Sequence, residues 1–155
     1  MASSSGSGSS TKKGAKGLGK RVKVAQDAFG VTTDNDETLT STDMNACSVV
    51  FVWTKTRLYG AHVSIGDLDG LVQKMDTDKE NIEYVTVVVR SDGDDEYDEL
   101  KEIIEEELTD KVSIEKGKYD ARLAEDDDPE EIQNANYWIT ATFAAKGKYR
   151  VQKKA

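Results

Sequence analysis

The stretch from Asn45 to Ile65 constrains the fold more than any other. Residues 45–53 read NACSVVFVW and residues 58–65 read LYGAHVSI, and both are rich in β-branched and aromatic side chains. The first run is apolar on both of its faces, the pattern of a strand covered on two sides. Between the runs stands a polar break, Thr54-Lys55-Thr56-Arg57. Two such runs so close together form an antiparallel hairpin. A hairpin buried on both faces needs a layer above it and a layer below it, so the rest of the chain must supply the covers.

The remaining periodicities supply them. Leu68, Leu71, Val72 and Met75 recur at helical spacing, with Asp67 placed to cap the first turn. Residues 82–90, IEYVTVVVR, form a strongly β-branched strand. Tyr97, Leu100, Ile103, Ile104 and Leu108 mark a second helix with its acids on the outer face. Weaker strand signals cover 112–115 and 119–123, around Lys116-Gly117. Residues 137–145 and 148–152 pair as a closing hairpin around Lys146-Gly147, and Arg21 to Ala25 is a short strand followed by a polar loop through Thr42. The fold class is α+β: a layered, mixed but mostly antiparallel sheet or β-sandwich core with about two flanking helices.

Length and charge set the organisation. A chain of 155 residues holds one domain with room for a tail. Residues 1–20, MASSSGSGSSTKKGAKGLGK, are expected to form a disordered Ser/Gly/Lys-rich arm, because they offer too little apolar surface to offset the entropy of ordering. Residues 21–155 are expected to be a single α+β domain. The net charge of −9 therefore divides into a basic arm and an acidic domain. That balance argues against a general nucleic-acid binder, which needs a basic footprint. No apolar run approaches the roughly 18 to 20 residues of a membrane span. Nor does the arm contain the apolar core of a secretory signal, so the cytoplasm is the expected location, with delivery into a host cell as an alternative route.

One Cys and one His exclude several chemistries. There is no disulfide framework, no multi-thiolate zinc site and no two-histidine metal motif. The acids Asp92, Asp94 and Glu96 alternate as in a calcium loop, but Tyr97 stands where that loop requires Gly, so the stretch reads as solvated surface. No single pair of carboxylates stands out for glycosidase work. What remains is Cys47 and His62. If the hairpin turns between Thr54 and Lys55, Trp53 faces Thr56, Phe51 faces Leu58 and Cys47 faces His62. Directly opposed side chains lie about 5 Å apart at Cβ, suitable for a thiolate–imidazolium pair. On the same face, Gly60 would leave room for an approaching substrate backbone.

The segment STDMNACSVVFVWTKTRLYGAHVSIGD resembles the catalytic hairpin of the cytotoxic-necrotizing-factor-like and chemotaxis-receptor-type glutamine deamidases, a group that includes the Burkholderia lethal factor. In that superfamily a Cys opens a buried strand and a His follows on the next strand at similar spacing. The resemblance covers roughly residues 40–66. It implies Cys47 as nucleophile and His62 as base, attacking the side-chain carboxamide of a protein glutamine through a thioester, with no metal or cofactor. Ser41 stands about where the family often carries a third group, between Thr40 and Thr42. The turn before the Cys reads Met44-Asn45-Ala46 rather than the usual Leu-Ser-Gly, and backbone N–H groups at Ala46 and Cys47, with Asn45 beside them, are the oxyanion candidates. The partner implied is a protein substrate carrying the target glutamine, with no nucleic acid and no membrane; transglutamination would follow if an amine replaced water. The competing reading is a non-catalytic α+β interaction domain, whose acidic face meets a basic partner while a flexible basic arm precedes it.

Overall fold

The computed structural model describes residues 21–24, 28–32, 37–44, 47–63, 68–91, 93–119 and 137–153. The expected arm, residues 1–20, lies outside the described residues, as do the Asp67 cap and the loops over 120–136. The strands are β1 (Arg21–Val24), β2 (Phe29–Thr32), β3 (Thr38–Met44), β4 (Ser48–Thr54), β5 (Leu58–Val63), β6 (Ile82–Arg90), β7 (Ile114–Tyr119), β8 (Tyr137–Thr142) and β9 (Arg150–Lys153). Two helices, α1 (Asp69–Lys74) and α2 (Asp94–Glu107), stand between β5 and β7.

The strands divide into two sheets. One has four strands in the order β9-β8-β3-β1, and the other has five in the order β2-β5-β4-β6-β7. The fold is thus α+β and layered, as the periodicities indicate. Most pairings are antiparallel, but β1–β3 and β6–β7 are parallel. The β6–β7 pair needs a crossover connection, and α2 provides it.

Every residue of β4 and of β5 is buried. The two faces of this central hairpin meet different covers. Val50, Val52, Ala61 and Val63 pack with Leu71 of α1 and with Leu100 and Ile104 of α2. Val49, Phe51, Trp53 and Leu58 pack with Leu39, Ile139 and Ala141 of the other sheet. The outcome is a helix layer, the five-stranded sheet and the four-stranded sheet, in that order.

Three expectations need correction. The polar loop expected through Thr42 contains two strands, β2 and β3. In β3, TLTSTDM, Leu39 is the inward anchor and Thr40 bonds Thr140 across the sheet at 2.9 Å, so hydroxyls hold a strand that hydropathy does not show. The break expected at Lys116-Gly117 is absent: β7 runs through both residues, parallel to β6, while residues 120–123 of the second expected strand lie outside the described residues. The third correction concerns the hairpin register. Trp53 faces Leu58, Phe51 faces Gly60 and Val49 faces His62, two residues away from the expected alignment. The cause is the turn. Thr54 N–H donates to the Arg57 carbonyl at 2.8 Å, and the Thr54 hydroxyl accepts from the Arg57 and Thr56 N–H groups at 3.0 and 3.3 Å. Such a side-chain-capped turn keeps Thr54 to Arg57 together as a four-residue tip rather than a two-residue one.

Candidate active site

The register correction decides where the thiol and the imidazole stand. A shift of one residue would send every side chain of the strand to the opposite face, whereas a shift of two preserves the face. Cys47, just ahead of β4, packs partly buried against the cluster between the sheets. His62 has the parity of Leu58 and Gly60, and a side chain built at Gly60 would meet Leu39 and Phe51 of that same cluster. Both residues therefore point between the sheets, but as diagonal neighbours: Val49, not Cys47, is directly opposite His62. Diagonal positions are about 7–8 Å apart, a distance that long side chains bridge.

The two differ in exposure. Cys47 is partly exposed, whereas His62 retains 1% of its surface. The Cys47 carbonyl accepts a hydrogen bond from the Tyr119 hydroxyl at 2.6 Å, which ties the start of β4 to the end of β7. The His62 backbone N–H donates to the Ala28 carbonyl at 3.0 Å. Tyr119 and Tyr137 stack at 5.7 Å, and Tyr137 faces Met44, so the Met44 end of β3 and the Cys47 end of β4 coincide.

Ser41 is fully buried on the inward side of β3, towards this same end. Its hydroxyl donates to the Met44 sulfur at 3.0 Å. That bond uses the Ser41 proton and leaves the hydroxyl oxygen as an acceptor. Thr40, beside it, points to the outer face and bonds Thr140. Gly60 is corrected as well. The space left by its missing side chain is filled by Leu39, with Phe51 at 3.3 Å from an added Cβ, so it serves packing between sheets rather than a substrate channel. Asn45 and Ala46, the expected oxyanion residues, lie outside the described residues.

A cleft of about 130 Å³ is lined by His62 together with Ala28, Phe29, Ala61, Val63, Leu68 and Leu71. Ala61 and Val63 belong to the helix-covered face, so by strand alternation it is the backbone of His62 that this side of the sheet presents to the cleft. On that helix side, Ser48 is buried directly next to Cys47, and Glu96 of α2 faces its hydroxyl. Burial pushes the Glu96 carboxyl above its ordinary value, and Glu99 adds to this, while Ser48 partly opposes it. Tyr119, bonded to Cys47, and Glu96, beside Ser48 on the helix side, are groups that sequence reasoning missed. Neither has a local signal, since each arrives from another element through tertiary pairing. Among the described residues no cluster of His, Cys, Asp or Glu could hold a metal ion. Asp94 of the calcium-loop pattern instead takes Lys116 at 2.6 Å and Lys118 at 3.1 Å, which hold its carboxyl below the usual range. No helix among the described residues is long and apolar enough to cross a membrane.

No family model matches the chain, and no curated protein does. Among solved structures, the C-terminal domain of CNFy from Yersinia pseudotuberculosis, a cytotoxic necrotizing factor, is similar at a TM-score of 0.35 and 12% identity over 86% of this chain. The aligned part spans 61% of that domain.

Proposed function

We propose that the chain is a cysteine-dependent protein glutamine deamidase with Cys47 as nucleophile and His62 as general base. One observation carries the reading: the only thiol and the only imidazole of the sequence belong to the same face and the same end of one hairpin. His62 takes the thiol proton, and Cys47 attacks the carboxamide carbon of a glutamine side chain. Backbone N–H groups at Ala46 and Cys47 receive the negative charge that develops on oxygen. His62 returns the proton to departing ammonia. Water, deprotonated by His62, then hydrolyses the thioester to leave glutamate and regenerate the thiol. Ser41 would orient the imidazole by accepting a ring N–H at its hydroxyl oxygen, whose proton goes to Met44. The substrate is a protein carrying the target glutamine, and the reaction asks for no metal or cofactor. The expected setting is the cytoplasm, native or of a host cell into which the chain is delivered.

The burial of His62 supports a second reading, a non-catalytic interaction domain in which both residues are structural. Alkylation of Cys47 by iodoacetamide, followed against pH by mass spectrometry, separates the two. The enzyme reading expects a reactive thiolate well below the free-thiol pKa of about 8.5, returning towards that value in His62→Gln. A thiol that stays inert in the folded protein, or whose pH profile ignores His62→Gln, defeats the enzyme reading.

A further inference from the structure

The outward face of the four-stranded sheet has a composition unlike the rest of the molecule. Register defines it, because directly opposed residues share a face. One row runs across all four strands: Lys23 faces Thr40, Thr40 faces Thr140, and Thr140 faces Arg150. The rows on either side bring Arg21 and Trp138 to the same face. None of Arg21, Lys23, Thr38, Thr40, Trp138, Thr140, Thr142, Arg150 and Gln152 on this face is acidic, although the chain carries 30 acids against 21 bases. Elsewhere four of the described lysines find carboxylates: Lys79 with Asp76, Lys116 and Lys118 with Asp94, and Lys146 with Glu83. Arg21 and Lys23 instead lie over the Trp138 ring, at 5.7 and 5.0 Å from its centroid, and among the described residues neither they nor Arg150 joins an ion pair. At the far side of the row, Thr140, Thr142, Lys148, Tyr149 and Arg150 line an open cleft of about 200 Å³.

We propose that this face is a docking surface for an acidic, extended segment of a partner protein. The exposed cations Arg21 and Lys23 on one side and Arg150 on the other flank a strip in which Thr40 is buried against Thr140 and Trp138 is half-buried. That arrangement offers positive charge at two separated places, with an aromatic ring between them. Stacking on Trp138 holds the Arg21 and Lys23 side chains over the sheet, which lowers the ordering cost when they meet carboxylates. A polyphosphate is the less suitable occupant. The overall charge of −9 repels a long polyanion, and the Trp138 face a nucleobase would stack on is already taken by two cations. A short acidic segment asks only for local neutralisation. The surface lies on the opposite side of its sheet from Cys47, so the inference goes beyond the proposed chemistry and does not depend on it.

The test is fluorescence anisotropy of a labelled Glu-Ser repeat peptide titrated with the full chain at low salt. The expected result is saturable binding that weakens with added salt. The double charge reversal Lys23→Glu/Arg150→Glu should weaken it by about tenfold or more, because truncating or reversing a partner of a charge pair chiefly raises dissociation. Lys148→Glu, on the loop before β9, is a second variant with little risk to folding and should weaken binding in the same direction. Lys101→Glu on α2 makes the same change in charge away from the surface and should leave binding close to that of the parent. Three results overturn the proposal: no saturable binding of the peptide, equal weakening by Lys101→Glu and Lys148→Glu, or tighter binding of a single-stranded oligothymidylate of matched charge.

Discussion

The two faces of the five-stranded sheet solve the same packing problem with different chemistry. Against α1 and α2 the contacts are mostly aliphatic: Val50, Val52, Val85, Val87 and Val89 meet Leu71, Leu100 and Ile104, with Tyr59, Met75 and Tyr97 in the same cluster. Against the four-stranded sheet, aromatic rings and polar groups enter. Phe51 and Trp53 stack at 6.0 Å, the Trp53 indole N–H donates to the Thr142 carbonyl at 2.8 Å, and the Thr86 hydroxyl donates to the Gly147 carbonyl at 3.1 Å. Cys47 and His62 belong to this second face. The helix side holds the sheet mostly by apolar area, which is non-directional, with the Tyr97 hydroxyl donating to the Ile114 carbonyl at 3.2 Å as a directional addition. The sheet side adds directional bonds that specify how two layers sit on one another, and it is there that reactive groups can be held in fixed relation.

The largest effect should come from Trp53→Ala, which empties the sheet side and strands the Thr142 carbonyl. A loss of about 3–5 kcal/mol is expected in urea denaturation, with faster iodoacetamide modification of native Cys47. Leu100→Ala, on the helix side, should cost about 2–5 kcal/mol but leave the native alkylation rate close to that of the parent. Equal alkylation rates in the two variants would erase the contrast drawn between the faces. Gly60→Ala should cost about 1–3 kcal/mol in thermal denaturation by overpacking against Leu39. Combined with Leu39→Ala it should cost less than the sum of the two single changes, since each relieves the other.

The smallest effects are electrostatic and of opposite sign on the helix side. Burial works to raise the Asp78 carboxyl, yet hydrogen bonds from Asn81, Tyr59 and Thr54 leave it below its ordinary value. Its contribution to stability is thus present above the ordinary carboxylate pKa of about 3.9 and is lost as pH falls through its lowered value. Glu96 is raised, so its cost is absent below the ordinary Glu pKa of about 4.3 and grows as pH climbs through its own higher value. Glu96→Gln should therefore raise the urea midpoint at pH 7 and leave it little changed at pH 4. Asp78→Asn should lower it at pH 7, with the difference shrinking in acid.

The same contrast explains what the sequence let one read. β4 and β6 are visible because both faces are covered, and such strands are written in continuous β-branched letters. β3 is invisible to that test. Its outward Thr40 pairs across the sheet with Thr140, and its inward Ser41 turns to Met44, so only Leu39 and the terminal Met44 mark the core. The thiol and imidazole were legible as residues of one face, because a shift of two residues leaves faces unchanged. Their alignment was not, since it depended on how the Thr54 hydroxyl organises the hairpin tip. Tyr119 and Glu96 were beyond reach altogether, because no local pattern announces which distant element will close over a strand end.

Leu39, seated where Gly60 lacks a side chain, has a mechanical consequence. It works as a dowel between two plates, blocking shear of one sheet along the other. At one end of the seam Trp53 is fastened to Thr142, and at the other lie Cys47 and His62.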